Sequence, residues 1–294
     1  MGLKILIIGS GGREHALSWI ISRSKRDIDK VYVMPGNAGT LSEKKVFNVE
    51  CDISDSQSIL NFAIKNKIDL TIVGPEDPLV NGLSDLFEEH NLNIFGPKKY
   101  FAQLEGSKVF AKDFMNRNNL PTAQYKEFEN IEHALDYITN KKMPIVIKYD
   151  GLAAGKGVDI CESVVDAKNS IKKLLKPGQK IIIEDFIKGV ELSAIYICNP
   201  SAAKKTIGLP WIKDYKSRDE FNSGPNTGGM GAVSHPFCSY KKNDIYSLNI
   251  EIEKILTKTL IGISNSSESN SKYNGFMYLG LMFSSHENKP YILE

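Results

Sequence analysis

Residues 147–157 read IKYDGLAAGKG, an apolar strand that runs into three glycines and a lysine. A Walker A loop needs four residues between its first glycine and the Gly-Lys pair, and a Ser or Thr after the lysine. Only three residues separate Gly151 from Gly155, and a glycine follows the lysine, so this segment is not a Walker A loop. A second apolar strand, GVDICES, comes directly afterwards. We therefore predict a flap between two antiparallel strands, in which backbone amides and the strand residue Lys148 bind phosphate; a merely mobile hairpin is the alternative.

The first hundred residues alternate between short apolar runs and stretches with apolar residues at helical spacing. This alternation predicts an α/β fold with a doubly wound parallel sheet, a Rossmann-like domain over residues 1–100. Ligands bind in such folds at the carboxyl ends of the strands, where three glycine-containing loops occur here: GSGGREH, PGNAGT and GPEDPLV. We therefore expect a ligand site at this edge of the sheet, although any one of these glycines could serve only a tight turn.

The loop GSGGREH meets the first two glycine positions of the dinucleotide-binding motif G-x-G-x-x-G, but Glu14 occupies the third. The second strand ends in Pro-Gly-Asn, with no acidic residue to bind a ribose hydroxyl. These departures disfavour a nicotinamide cofactor and leave a nicotinamide-dependent oxidoreductase as a weaker hypothesis. The free amides of a helix N-terminus, with Arg13 beside them, instead predict a site for a single phosphate or carboxylate group.

After the first hundred residues the pattern changes to that of an α+β domain, which we assign to residues 101–294, with a flap subdomain of roughly 122–190. We predict one long helix over residues 98–119 and a loop rich in glycine and asparagine over residues 220–232. The polar tract of residues 264–275 predicts a flexible turn. The remaining apolar runs predict further strands around one helix, VVDAKNSIKKLLK, then the helix DIYSLNIEIEKILTKTLIGI and two closing strands.

The apolar strand KIIIEDFI carries Glu184 at its end, and Glu191 follows soon afterwards. A strand end that faces a cleft can bind the edge of adenine through its amide and carbonyl groups, and a nearby carboxylate can accept hydrogen bonds from ribose hydroxyls. Acidic residues at strand ends are more often simply solvated. The position of this segment after the flap is therefore what favours a nucleotide site.

Composition limits the remaining classes of function. The chain has 37 Lys and Arg against 35 Asp and Glu, a net charge of +2, and no basic run that would indicate a nucleic-acid surface. Its four cysteines show no C-x-x-C spacing, which disfavours zinc and a disulfide framework. The N-terminus lacks a signal-peptide layout, and no apolar stretch approaches the roughly 20 residues of a membrane span. We predict a cytoplasmic protein with small-molecule substrates and no nucleic-acid or membrane partner.

Four segments together resemble the ATP-grasp ligases: LEGSKVFAKDFM with Lys108, the strand with Lys148 before DGLAAGKG, IIIEDF followed by Glu191, and GPNTGGMGA. Four N-terminal segments make the resemblance closer: GSGGREHA, PGNAGT, LTIVGPEDPLV and NIFGP. In this order, the segments are similar to those of the phosphoribosylamine-glycine ligases, the glycinamide ribonucleotide synthetases of purine biosynthesis. The resemblance covers essentially the whole chain and implies an ATP-grasp fold for the second domain.

The resemblance implies a carbon-nitrogen ligase that joins glycine to 5-phosphoribosylamine and releases ADP and phosphate, through a glycyl phosphate intermediate. ATP would be a substrate and Mg²⁺ or Mn²⁺ the cofactor. The catalytic residues would be Lys148 and Glu294, with Glu294 also the metal ligand. The residues implied for ATP binding are Lys108, Lys148, Gly151, Gly155, Lys156, Gly157, Glu184, Phe186, Ile187 and Glu191. Those implied for phosphoribosylamine and glycine are Gly11, Gly12, Arg13, Asn37, Glu76, Asn226, Thr227, Gly228 and Gly229.

The chain departs from the family pattern in two places. Residues 210–218 read PWIKDYKSR, which looks shorter and less polar than the family's segment. The chain also ends at Glu294, where the family's strand continues into an asparagine, an R-F-G-D-P-E segment and a further domain. We therefore expect a chain that lacks the family's carboxyl-terminal part. A truncated chain that binds nucleotide without turnover is the alternative to an active ligase.

Overall fold

The computed structural model describes residues 2–152, 157–202, 204–220, 223–234, 242–266, 272–284 and 286–294. The chain divides into two compact units. The first comprises Met1–Gln103 and Tyr273–Gly275, and the second comprises Leu104–Lys272 and Phe276–Glu294. Within the described ranges, no helix combines the length and the apolarity that crossing a membrane requires.

The first unit contains a parallel five-stranded sheet with the strand order β3-β2-β1-β4-β5. This order confirms the predicted doubly wound parallel sheet. Its strands are β1 (Leu3–Gly9), β2 (Ile28–Pro35), β3 (Val46–Asn48), β4 (Leu70–Val73) and β5 (Ile94–Phe95). Its helices are α1 (Gly12–Ser22), α2 (Ala38–Leu41), α3 (Ser56–Asn66), α4 (Glu76–Val80) and α5 (Leu83–Glu89).

The sheet of the first unit is buried because its central strands are apolar on both faces, as parallel strands covered by helices must be. Leu6 and Ile8 of β1 pack in one core with Ile59 of α3 and Phe87 of α5. Apolar residues recur at helical spacing in PLVNGLSDLFEEH, residues 78–90, and this spacing predicts one helix where α4 and α5 occur. Gly82 breaks it with a φ of 94°, a left-handed conformation that favours glycine.

A four-stranded antiparallel sheet in the second unit has the order β6-β9-β7-β8. Its strands are β6 (Tyr125–Phe128), β7 (Ile145–Tyr149), β8 (Val158–Cys161) and β9 (Ile181–Asp185). The apolar faces of α8 (Ile131–Thr139) and α9 (Val164–Leu174) pack against these strands in one core. Because β7 pairs directly with β8, the predicted antiparallel hairpin around the flap is confirmed.

The larger sheet of the second unit has the order β13-β12-β10-β14-β15, with β11 paired to β10. Its strands are β10 (Val190–Cys198), β11 (Thr206–Gly208), β12 (Ile212–Asp219), β13 (Ser223–Ser234), β14 (Gly275–Ser284) and β15 (Lys289–Ile292). A long helix, α10 (Lys242–Ser264), has Ile252, Ile255 and Leu256 on its buried face. The predicted polar turn at residues 264–275 lies partly outside the described residues.

The predicted long helix over residues 98–119 is wrong, because the structure has two helices there. They are α6 (Lys99–Gly106) and α7 (Lys108–Arg117). Ser107 between them is extended, with φ −137° and ψ 118°, and its Oγ accepts a hydrogen bond of 3.1 Å from the Phe110 amide. Gly106 has low helix propensity and serine is a favoured N-cap, so a new helix begins at this point.

Replacing Ser107 with alanine is expected to lower the free energy of unfolding by about 1–2 kcal/mol, because it removes the N-cap of α7 and the hydrogen bond that the hydroxyl donates to Asp150. Ser107→Thr keeps the hydroxyl and serves as the control. Urea denaturation followed by Trp211 fluorescence compares the three proteins. Equal midpoints for the serine and alanine forms would show that this cap contributes nothing.

The predicted loop over residues 220–232 is also wrong in its main part, because residues 223–234 form β13 and pair with β12. Backbone hydrogen bonds in an antiparallel pair need no particular side chains, so glycine and asparagine do not prevent a strand. The register of the pairing shifts on both sides of Ser217 on β12. Such shifts are typical of β-bulges, where extra residues are inserted in one strand.

Candidate functional site

The GSGGREH loop joins β1 to α1, and Gly11 is the N-cap of the helix. Glu14 turns back toward this cap, and its Oε2 accepts a hydrogen bond of 2.7 Å from the Gly11 amide. Its Oε1 lies 2.6 Å from the Nε atom of Arg13. The prediction of a cradle of free amides is therefore wrong for Gly11, whose amide is engaged by a buried carboxylate. Arg13 is half-exposed, so its cation can still meet an anionic ligand at this loop.

Two other loops of the first unit adjoin this one. Asn37 caps α2 through its Oδ1, and its Nδ2 donates a hydrogen bond of 2.9 Å to the carbonyl of Ser10. Glu76 begins α4 in the third loop. In that loop a Cβ atom on Gly74 would collide with the carboxylate of Glu14. The first unit thus places its predicted substrate residues on three adjoining loops at the carboxyl edge of the sheet: Gly11, Gly12, Arg13, Asn37 and Glu76.

A buried group of three charges lies in the second unit: Lys112 of α7, Lys148 of β7 and Glu184 of β9. We name it the lysine-glutamate cluster. Glu184 Oε2 is 2.9 Å from Lys112 Nζ, and Glu184 Oε1 is 2.9 Å from Lys148 Nζ. The side chain of Lys148 is 8% exposed, against 2% for the other two. Since the Glu184 carboxylate is engaged inside the protein, only main-chain groups at this strand end are available for the predicted adenine contact.

The base of the flap is tied to the N-terminus of α7. Lys108 Nζ donates a hydrogen bond of 3.1 Å to the carbonyl of Gly151. Asp150 Oδ1 accepts from the Val109 amide at 3.1 Å and from the Ser107 hydroxyl at 3.0 Å. Lys108 and Gly151, both predicted to bind phosphate, are therefore in contact in the fold, although 43 positions separate them in sequence.

The two ends of the flap lie next to each other, because the Tyr149 amide donates a hydrogen bond of 2.8 Å to the carbonyl of Gly157. Gly151 has a φ of 137°, a backbone conformation that favours glycine. The predicted phosphate residues Gly155 and Lys156 lie outside the described residues. The structure therefore shows how the flap is anchored through its two ends.

The predicted adenine residues Phe186 and Ile187 follow β9 and are partly buried. Glu191, the predicted ribose contact on β10, accepts a hydrogen bond of 2.7 Å from Lys216 Nζ of β12. Burial by itself lowers the pKa of Lys216, but the Glu191 carboxylate outweighs it, so the pKa lies above its usual value. A ribose hydroxyl that binds Glu191 would therefore meet a carboxylate that is already paired with Lys216.

Tyr278 and Glu294 adjoin this ion pair. Burial raises the pKa of Tyr278, the hydroxyl of Ser193 at 3.2 Å opposes the rise, and Glu294 adds to it. Glu294 also contributes to the raised pKa of Lys216. The predicted ribose contact Glu191 and the predicted metal ligand Glu294 therefore both act on the charge of Lys216.

Glu294 supplies a carboxylate, the kind of oxygen ligand that Mg²⁺ and Mn²⁺ take. Across the described parts of the chain, no group of three or more His, Cys, Asp or Glu residues could hold a metal ion. Mg²⁺ is usually held by one or two carboxylates together with substrate phosphates and water. The Glu294 carboxylate therefore fits a metal ion that arrives with phosphates, and the residues that the structure describes form no metal cage of their own.

The predicted substrate residues at positions 226–229 belong to β13. Thr227 Oγ1 donates a hydrogen bond of 2.9 Å to the carbonyl of Lys216 and accepts one of 3.1 Å from the Gly229 amide. Asn226 lies opposite Ser217 in the strand pairing. Gly228 has open space on the side where a Cβ would lie. This segment is thus joined to the strand that carries Lys216.

Sequence reasoning missed three residues of these arrangements: Lys112, Lys216 and Tyr278. Lys112 stands four residues after Lys108, and this spacing places both on one face of α7. That signal was available, since the segment was already assigned to a helix. Lys216 and Tyr278 could not be found in the same way, because their strands meet Glu191 only through the strand order of the larger sheet.

Comparisons with known proteins bear on both units. The family model for the N domain of phosphoribosylglycinamide synthetase matches residues 3–105, and the model for its ATP-grasp (A) domain matches residues 106–294. The chain belongs to this family. The phosphoribosylamine-glycine ligase of Clostridium acetobutylicum is 44% identical over 301 residues, which cover 99% of this chain and 68% of that protein. The chain therefore spans about two thirds of the length of this family member.

Solved structures agree with this family assignment. A crystal structure of the phosphoribosylamine-glycine ligase of Thermotoga maritima matches with a TM-score of 0.76 and 33% identity, over 99% of this chain and 68% of that one. An N5-carboxyaminoimidazole ribonucleotide synthetase in complex with ADP matches with a TM-score of 0.70 and 18% identity, over 100% of this chain and 69% of that one. At that identity the second match shows the fold alone. The match of residues 106–294 to the ATP-grasp (A) domain model confirms the predicted ATP-grasp architecture after the parallel sheet. The family favours a ligase over a nicotinamide-dependent oxidoreductase.

Proposed function

We propose that this chain uses ATP to ligate glycine to 5-phosphoribosylamine, with glycinamide ribonucleotide, ADP and phosphate as products. The observation that carries the proposal is the match of both family domains, in order, along the chain. We assign residues 1–100 to a substrate-binding domain and residues 101–294 to the ATP-grasp domain, with a flap subdomain of roughly 122–190. The substrates follow from the family, and the contacts in each unit support their placement.

The lysines at the flap are assigned to the phosphates of ATP. Lys148 and Lys108 carry positive charge at the base of a glycine-rich segment, where backbone amides can approach phosphate oxygens. Main-chain groups at the end of β9 would bind adenine, and Glu191 would bind ribose. Phosphoribosylamine and glycine are assigned to the loops of Arg13, Asn37 and Glu76 and to residues 226–229 of β13.

The reaction needs positioning and charge neutralisation more than a side-chain nucleophile. The glycine carboxylate attacks the γ-phosphorus of ATP and releases ADP. The amine of phosphoribosylamine then attacks the carbonyl carbon of glycyl phosphate, and inorganic phosphate leaves. Lys148 and Lys108 would hold the phosphates in place, and the flap would exclude water from the reactive acyl phosphate. Mg²⁺ or Mn²⁺ held in part by Glu294 would neutralise further phosphate charge.

The proposal is tested by ADP release from the purified chain with Mg-ATP, glycine and freshly generated phosphoribosylamine, each omitted in turn. We expect release that requires both glycine and phosphoribosylamine. A calorimetric titration with ATP accompanies the assay. Binding of ATP without release in the complete mixture would contradict the ligase proposal for this chain and would support nucleotide binding without turnover.

A further inference from the structure

The lysine-glutamate cluster contains two cations and one anion. Lys112 and Lys148 each lie 2.9 Å from a different oxygen of Glu184, so one carboxylate serves both ammonium groups. With all three groups ionised, the cluster carries one positive charge that no partner within it balances. Uncompensated charge is costly in a buried place, and an anion that reaches the cluster would relieve the cost.

The most exposed member is Lys148, with 8% of its side chain accessible, whereas Lys112 is 2% accessible. A ligand anion can therefore meet the cluster at Lys148 and does not reach Lys112. Burial lowers the pKa of Lys112, the carboxylate of Glu184 opposes this, and Lys148 adds to the lowering.

We propose that Lys112 is a positioning residue for ATP, which engages one oxygen of Glu184 and so leaves Lys148 with a net positive charge for a phosphate group. The inference rests on the proposed function in one respect, namely that Lys148 meets a phosphate of ATP. Without Lys112, Glu184 and Lys148 form a neutral one-to-one pair. A phosphate would then have to compete with Glu184 for the same ammonium group.

Both lysines of the cluster are also linked by hydrogen bonds to the main chain just before Glu294, Lys112 through Thr122 and Lys148 directly. Lys112 Nζ donates a hydrogen bond of 2.7 Å to the Thr122 hydroxyl, which donates one of 2.8 Å to the carbonyl of Ile292. Lys148 Nζ donates a hydrogen bond of 2.9 Å to the carbonyl of Leu293. Lys112 thus makes contacts of two kinds, one to the charged carboxylate of Glu184 and one to the uncharged hydroxyl of Thr122, which separate variants can test.

The first test is Lys112→Met, which removes the charge and keeps much of the side-chain volume. We expect the dissociation constant and the KM for ATP to rise about tenfold, with the KM for glycine unchanged, because a charge-assisted phosphate contact is weakened. Lys112→Arg keeps the cation and is expected to bind ATP within about threefold of the wild type. Thr122→Val removes the hydroxyl that accepts from Lys112 and donates to the Ile292 carbonyl, and it leaves every charge of the cluster in place. It is the matched structural control, and we expect its ATP affinity to be unchanged.

The decisive variant is the double change Lys112→Met with Glu184→Gln. It removes the carboxylate that would neutralise Lys148, while a glutamine keeps the shape and the main chain of the strand end. We expect ATP affinity to return to within about threefold of the wild type, because the two effects are coupled through Lys148. This double variant has no buried carboxylate at position 184, so its ATP affinity relative to the wild type also decides the question if Lys112→Met alone does not fold.

The inference is overturned if the double variant binds ATP as weakly as Lys112→Met, or if Thr122→Val loses as much affinity as Lys112→Met. It is equally overturned by a Lys112→Met protein with wild-type affinity. A wild-type chain that binds no ATP overturns it together with the role of Lys148. A wild-type chain that binds ATP but does not ligate glycine overturns only the proposed function, because affinities of the variants remain measurable.

Discussion

Replacing Lys148 with methionine is expected to weaken ATP binding by a factor of about ten to a hundred, which corresponds to the roughly 1.5–3 kcal/mol of a contact to a charged group. The side chain lies in a largely buried place at the base of the flap, where water screens a phosphate contact poorly. Isothermal titration calorimetry with ATP, with and without Mg²⁺, measures the effect directly.

The Lys148→Met protein is expected to fold, which makes its loss of affinity interpretable. Lys112 remains 2.9 Å from Glu184 Oε2, so the buried carboxylate keeps one cation as its partner. The carbonyl of Leu293 loses its donor, at a cost of about 1 kcal/mol. The far-ultraviolet circular dichroism and the thermal midpoint of the variant check this expectation.

The matched control for Lys148→Met is Lys173→Met. Lys173 Nζ lies 3.1 Å from Asp159 of the same four-stranded sheet, and its side chain is 63% exposed. This variant also loses one positive charge, but from a solvated ion pair that contributes little. ATP affinity should stay at the wild-type value. An equal loss in both variants would mean that overall charge, and not the position of Lys148, governs nucleotide binding.

The second large effect is expected from Gly74→Ala, which should lower the free energy of unfolding of the first unit by about 3 kcal/mol. A Cβ atom at this position would collide with the Glu14 carboxylate, which is 2% exposed and accepts the hydrogen bond from Gly11. Displacing the carboxylate breaks that hydrogen bond and the pair with Arg13. It also moves the buried charge of Glu14 away from the groups that neutralise it.

The two tryptophans of the chain make this measurable for one unit at a time. Trp19 lies on α1 of the first unit and Trp211 lies in the second. In a Trp211→Phe background, urea denaturation followed by fluorescence reports on the helix that carries Glu14. Gly12→Ala is the control within the same unit, because a Cβ at Gly12 meets open space.

A double variant tests whether the collision with Glu14 is the cause. Once Glu14→Ala has removed the carboxylate, adding Gly74→Ala should cost less than about 1 kcal/mol further, since the effects of residues in contact are not additive. If Gly74→Ala is as harmful in that background as in the wild type, the loss arises elsewhere. Backbone strain in the third loop would then be the alternative cause.

The alternation of apolar runs and helical stretches predicted the parallel sheet of the first unit, because both periods are properties of local sequence. Apolar periodicity failed at residues 98–119, and a composition rich in glycine and asparagine failed as a loop signal at residues 220–232. Ser107 separates two helices by a hydrogen bond to a main-chain amide, and β13 forms by pairing with β12 in spite of its composition. Both outcomes depend on hydrogen bonds that apolar periodicity does not describe.

For the candidate site, the sequence predicted residues one by one and did not predict which side chains they contact. Lys148 and Glu184 were assigned to phosphate and adenine separately, yet the fold joins them in one ion pair. Gly11 was expected to offer a free amide, yet Glu14 engages it. The ligand roles of all these site residues stay predictions, and Gly155 and Lys156 also lie outside the described ranges.

Local sequence by itself determined the doubly wound sheet, the flap hairpin and the family, since strand and helix periods and ordered glycine motifs are readable along the chain. Only the tertiary structure decided which charges meet. Glu184 lies 72 positions from Lys112, and Leu293 lies 145 positions from Lys148. Contacts over such separations are set by strand order and helix packing. For a buried lysine such as Lys148, these contacts determine how much of its positive charge remains unpaired and available to a ligand.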